Sequence, residues 1–63
     1  MKPEYKIISN IIDENSRVLD VGCDDGTLME FLKENKNVDI RGIEISKKKV
    51  QICISKGLTV IEG

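Results

Sequence analysis

Apolar positions along this chain follow two periods that alternate. From Pro3 to Glu14 apolar residues fall at Tyr5, Ile8 and Ile12, with Ile7 and Ile11 widening the stripe. That 3.6-residue period predicts a first helix packed through its isoleucines. Pro3 suits a first helical turn, and Asp13-Glu14-Asn15-Ser16 is a polar connector. Arg17 to Val21 is apolar apart from Asp20, as expected of a central parallel strand. It breaks into a glycine-punctuated turn, Gly22 to Gly26. A second helical pattern runs from Thr27 to about Asn35, with Leu28, Met29, Phe31 and Leu32 opposed to Glu30, Lys33 and Glu34. After a turn at Glu34-Asn35-Lys36-Asn37, Val38 to Ile45 contains a second strand. Gly42 lies inside it and marks a close backbone approach or a weak point. Ser46 is a good N-cap for a third helix running to about Lys56, with Val50, Cys53 and Ile54 inward. Gly57 suits the C′ position, and Leu58 to Glu62 reads as a third strand.

The order is therefore α-β-α-β-α-β. Right-handed crossovers make the three strands parallel, in spatial order 3-2-1, with the turn after the first strand at the ligand-binding edge of the sheet. Strand, glycine turn and helix together open a nucleotide-binding βα unit. The usual dinucleotide fingerprint, G-x-G-x-x-G, spaces its outer glycines five apart. Gly22 and Gly26 are four apart, and Asp24 and Asp25 lie between them. Two carboxylates oppose a pyrophosphate at close range. They suit a ligand carrying positive charge, such as S-adenosylmethionine with its sulfonium and ammonium groups, better than NAD. Both aspartates also complement the positive end of the following helix dipole, so a purely structural reading stands beside the cofactor reading. Asp20, at the carboxyl end of the first strand, either braces the turn or meets the ammonium group, or else merely caps the turn. Glu44 ends the second strand, about where an acid that accepts both ribose hydroxyls is expected. Ile45, the next residue, is placed to lie against an adenine face.

These residues resemble a known superfamily. Val18-Leu19-Asp20-Val21-Gly22-Cys23-Asp24-Asp25-Gly26 is similar to motif I of class I S-adenosylmethionine-dependent methyltransferases, and Ile43-Glu44-Ile45 to their second motif. With Arg41-Gly42 and the segment Cys53 to Gly63 added, the chain from Arg17 onward most resembles the MetW family, a methyltransferase-like family tied to methionine biosynthesis. The resemblance implies an α/β, Rossmann-like three-layer sandwich, present here in part. The 63 residues would form one partial domain, the S-adenosylmethionine-binding N-terminal portion of a larger methyltransferase, since a full domain needs more strands to close its sheet. It implies a cofactor site made of Asp20, Gly22, Cys23, Asp24, Gly26, Glu44 and Ile45, transfer of a methyl group to an acceptor the motifs do not name, and the homoserine acyltransferase of methionine biosynthesis as a partner. The family pattern carries glycine where this chain has Asp24, which adds a carboxylate to the turn. Asp tolerates a left-handed backbone better than most residues.

Composition narrows the alternatives. Sixty-three residues allow one small domain, and chains of this size bury only about 60% of their unfolded surface. The two cysteines form no metal-type spacing and there is no histidine. Cys53 reads as a small buried apolar residue. Cys23 is in the turn and more exposed, with no base beside it to make it a nucleophile. Both are expected to be reduced, which suits a cytoplasmic protein. A net charge of −1 gives no attraction to nucleic acid or to an acidic membrane surface. No apolar run reaches the ~18 residues of a membrane span. Lys47-Lys48-Lys49 opposes the dipole of the third helix and is either a solvated face or an attraction for an anionic partner. A non-catalytic scaffold acting in protein association is the second functional reading, because fold alone does not fix function. An NAD enzyme is the third.

Overall fold

The computed structural model describes residues 2–63. The elements are α1 (Pro3–Ile11), β1 (Arg17–Val21), α2 (Thr27–Lys36), β2 (Asp39–Glu44), α3 (Lys47–Ser55) and β3 (Thr59–Glu62). The strands form one parallel sheet with β2 in the centre, between β1 and β3. This is the element order and parallel 3-2-1 sheet expected from the apolar pattern, and the α/β, Rossmann-like fold that the resemblance implies. The pairing register puts Asp20 beside Gly42 and Val21 beside Ile43, and on the other side Glu44 beside Glu62. The carboxyl ends of all three strands therefore finish at one edge.

Because strand side chains alternate, the register divides the sheet into two faces. Val18, Ile40, Gly42 and Val60 share one face. There Val18, Ile40 and Val60 join Met29 and Leu32 of α2, Cys53 of α3, and Cys23, Val38 and Leu58 in a single core. Leu19, Val21 and Ile61 share the other face and are exposed by 61%, 72% and 66%. Among the described residues, then, two of the three layers of the sandwich are present: the sheet and one layer of helices.

Three expectations need correction. Ile54 does not face inward with Val50 and Cys53 of α3; it is 57% exposed. Ile7 and Ile11 do not widen the buried stripe of α1; both are largely exposed. At about 100° per residue, Tyr5, Ile8, Ser9 and Ile12 share a flank about 100° wide, and Ile11 and Ile7 lie about 60° and 100° beyond its edge at Ile8. Ser9 is the buried residue of α1, which packs on α2. Cys23 is not exposed either. Its side chain turns into the core at 5% exposure, because the turn folds back over β2.

Gly42 shows why a glycine sits inside the central strand. A Cβ there would come within 2.7 Å of Cys23 Sγ and 2.8 Å of Met29 Sδ. The glycine lets the turn and α2 lie flat against β2. Gly42→Ala should therefore destabilise the chain by about 1–3 kcal/mol, the usual cost of overpacking. An unchanged urea midpoint would mean that the sulfur atoms give way freely.

Candidate functional site

The site is built at the carboxyl ends of β1 and β2, where ligands bind in open α/β sheets. Gly22 and Gly26 bracket the turn with φ of 74° and 85°, and Asp24 between them has φ 57°. The two glycines serve different ends. A Cβ at Gly22 would meet nothing within 4 Å, so this residue borders open space. A Cβ at Gly26 would collide with Leu58 Cδ1 and lie 3.0 Å from Cys53 Sγ. Gly22 therefore leaves room for a ligand, and Gly26 seats the start of α2 against α3 and the entry to β3.

The turn's backbone N–H groups are largely committed within the protein. Those of Gly22 and Cys23 donate to the Ile43 carbonyl at 2.7 and 3.1 Å, and that of Gly26 to the Cys23 carbonyl at 3.1 Å. The Asp24 N–H donates to Glu44 Oε1 at 2.7 Å. The Thr27 N–H and hydroxyl both donate to Asp25 Oδ1, at 3.0 and 2.7 Å. Such a turn is not an anion nest of free N–H groups, which weighs against a diphosphate more directly than the two aspartates do. Those aspartates are not bare. Asp25 caps the first turn of α2, and the Thr27 hydroxyl and N–H hold its carboxyl below the usual range. Asp24 pairs with Lys49, whose hydrogen bond lowers the Asp24 pKa most. Charge repulsion from the pair, as read from sequence, is thus mostly answered by α2 and α3.

Glu44 is the central acid. Besides the Asp24 N–H, it takes the Ser46 N–H on Oε2 at 2.9 Å. The Ser46 and Asp24 N–H groups, in that order, lower its pKa. It is 7% exposed. An ionised carboxylate offers about four acceptor positions, so two remain beyond those used by the backbone. Ile45 follows with 81% of its surface exposed, an apolar side chain standing free beside Glu44.

Asp20 sits on the helical face of the sheet, half-buried, and burial raises its pKa. The bracing reading of Asp20 fails, because the turn N–H groups described above go to Ile43, Cys23, Glu44 and Asp25. Glu44 does the bracing instead. Cys23 joins the site through its backbone alone. Its thiol faces the core, and burial pushes its pKa up to about 11. Both cysteines are free thiols. Sequence reasoning missed Lys49, Cys53 and Lys56, the α3 residues that reach the turn. Their spacing marks one helix face, yet nothing in the sequence says that this face meets the turn. A concavity lined by Arg17, Val18, Leu19, Asp39 and Arg41 lies at the amino-terminal ends of β1 and β2, away from the turn and Glu44.

The fold is shared with solved structures. A TehB-like SAM-dependent methyltransferase from Corynebacterium glutamicum superposes with a TM-score of 0.83 at 18% identity, covering 95% of this chain and 33% of that one. A SAM-dependent methyltransferase from Geobacter sulfurreducens, solved with S-adenosyl-L-homocysteine, matches at a TM-score of 0.66 and 19% identity over 100% of this chain and 30% of its own. The [4+2]-cyclase SpnF matches at 0.80 and 21% over 95% of this chain and 26% of its own. The chain thus spans about a third or less of the structures it resembles, and at these identities the likeness establishes the fold. No curated protein sequence matches it. Among the described residues no helix is long and apolar enough to cross a membrane. The sequence profile of the family described as methionine biosynthesis protein MetW matches residues 2–63, nearly the whole chain including the glycine turn and Glu44, and the chain belongs to that family.

Proposed function

We propose that this chain is the S-adenosylmethionine-binding part of a MetW-type methyltransferase. The observation that carries the reading is the 2.7 Å hydrogen bond from the Asp24 N–H to Glu44 Oε1. It joins the acid at the tip of β2 to the glycine turn after β1, the two features that would hold the ribose and the methionine end of one ligand. The surroundings fit that ligand. Gly22 borders open space, Ile45 offers an exposed apolar surface for adenine, and Glu44 keeps acceptor positions for ribose hydroxyls. Asp20, near the end of β1 and just ahead of the turn, would face the ammonium group. The Geobacter relative, solved with S-adenosyl-L-homocysteine, supports the same choice.

When bound, the cofactor supplies a methyl group already activated by its sulfonium. The protein's task is then to orient it for in-line attack. The residues named here orient and bind; none acts as an acid or base. The methyl acceptor would be held by other parts of the protein. The family's tie to methionine biosynthesis makes its homoserine acyltransferase the partner we infer for the assembled protein. That SpnF, a cyclase, shares the fold is the reason to test binding before methyl transfer.

The test is a circular-dichroism thermal melt of the chain with S-adenosylhomocysteine, and with NAD as control. Ligand at about 100 times its Kd adds about 2.7 kcal/mol to the folded state, so S-adenosylhomocysteine should raise the transition by ten degrees or more and NAD should leave it in place. A cooperative transition that neither ligand moves would favour the non-catalytic scaffold. One moved by NAD alone would reinstate the dinucleotide reading.

A further inference from the structure

The added carboxylate of Asp24 is met by one face of α3. Lys49, Cys53 and Lys56 are spaced four and three apart and so share a helical stripe. Lys49 Nζ pairs with the Asp24 carboxylate. The Cys53 thiol donates to the Asp24 carbonyl at 3.3 Å. Lys56 Nζ donates to the Asp25 carbonyl at 2.9 Å and pairs with Glu30 at 3.2 Å. With its N–H on Glu44, Asp24 has its donor, its carbonyl and its carboxylate all engaged. The left-handed backbone that glycine would adopt without help is here held by three contacts, and one of them cancels the charge that came with the side chain. Lys49 is close enough to Glu44 and Asp25 for its charge to lower the pKa of both.

Building on the cofactor reading above, we propose that Lys49 is a positioning and specificity-determining residue of the site. Through Asp24 it secures the turn, and by neutralising Asp24 it sets how strongly the site distinguishes a sulfonium ligand from the uncharged thioether left after methyl transfer. Without Lys49 the turn carries a bare carboxylate and favours the cation. Without the Asp24 carboxylate it carries a bare ammonium and disfavours it. The two single changes should therefore shift discrimination in opposite directions, which loss of structure alone would not do.

The experiment is titration calorimetry of S-adenosylmethionine and S-adenosylhomocysteine against the native chain, Lys49→Met, Asp24→Asn, the double variant, and Lys49→Arg. Lys49→Met should raise the ratio of sulfonium to thioether affinity by about two- to fivefold, the scale of one unit charge acting across a solvent-exposed site. Asp24→Asn should lower it by a similar factor. The double variant should return near the native ratio, and Lys49→Arg should keep it. If both ligands weaken together in Lys49→Met and the ratio stays put, Lys49 is only a structural contact and the proposal is overturned. A native chain that binds neither ligand sinks the cofactor reading and the discrimination with it. The Lys49–Asp24 pair is then judged by carbon-13 titration of the Asp24 carboxyl, whose midpoint should rise in Lys49→Met; an unmoved midpoint overturns the pairing as well.

Discussion

Gly26→Ala should lower the stability of this chain by about 2–5 kcal/mol, the largest effect of any single methyl group added here. Two costs combine. Gly26 holds φ 85° as the N-cap of α2, and a left-handed backbone costs an L-residue roughly 1–2 kcal/mol. The new Cβ would also collide with Leu58 Cδ1 and press on Cys53 Sγ at 3.0 Å, and overpacking of that kind adds about 1–3 kcal/mol. A chain of 63 residues has a total stability of only about 3–9 kcal/mol, so the substitution removes much of it. Gly22→Ala is the control. It shares the positive φ, at 74°, but its Cβ meets nothing within 4 Å, so only the backbone cost applies. Urea midpoints of the two variants decide the matter. If Gly26→Ala is no worse than Gly22→Ala, the packing role assigned to Gly26 is wrong.

The contrast between those two glycines also shows where sequence reading stops. Spacing alone identifies a glycine turn between a strand and a helix, and the two glycines look equivalent in it. Only the three-dimensional path shows that one borders open space and the other the core. The same holds for the acids. The sequence places Glu44 at the tip of β2, because strand length and the turn's position are both encoded locally. It does not show that Glu44 accepts the Asp24 N–H, because that contact joins segments 20 residues apart; the Ser46 N–H, two residues on, is a local partner. Asp24 and Asp25 read from sequence as a negative patch. The structure answers them with Lys49 and the start of α2. The exposure of Ile7 and Ile11 is not legible in the helical period, which sets them on an arc continuous with Ile8; it follows from α1 packing on α2 through the flank that holds Ser9.

The bare sheet face bears on every stability measurement proposed. Parallel sheets are ordinarily covered on both faces, and here Leu19, Val21 and Ile61 remain exposed. Burying one such side chain stabilises by about 1.5–3 kcal/mol, so each left in water is a contribution forgone. The stability of this chain therefore rests on a single core, centred on Met29, Leu32 and Cys53, the large side chains that are fully buried. It is this core that Gly26 and Gly42 border, which is why single methyl groups at either position matter so much.

Glu44→Gln should separate the two duties of the acid at the tip of β2. As a carboxylate, Glu44 accepts the Asp24 N–H on one oxygen and the Ser46 N–H on the other. A glutamine has one accepting oxygen and one donating nitrogen. It can serve one N–H and must oppose the second, leaving a half-buried donor without its partner. The turn and the start of α3 should loosen together, with a melting temperature below native at neutral pH. Ligand affinity should fall by about ten- to a hundredfold, as hydrogen bonds to a charged acceptor are lost. The acid limb of the stability profile supplies an independent check. The folded pKa of Glu44 is lowered by those two N–H groups, so its stabilisation is complete above the unfolded glutamate value of about 4.3 and is lost as pH falls through the folded value. Asp24 and Asp25, also lowered, act in the same direction. Asp20, raised by burial, acts against them, because its ionised form is the one the fold disfavours. Native protein should therefore lose stability in acid more steeply than Glu44→Gln, and the two melting curves should converge at low pH. Curves that stay parallel down to pH 3 would show that the Glu44 charge contributes nothing to the turn, and the hydrogen bond on which the cofactor reading rests would lose its significance.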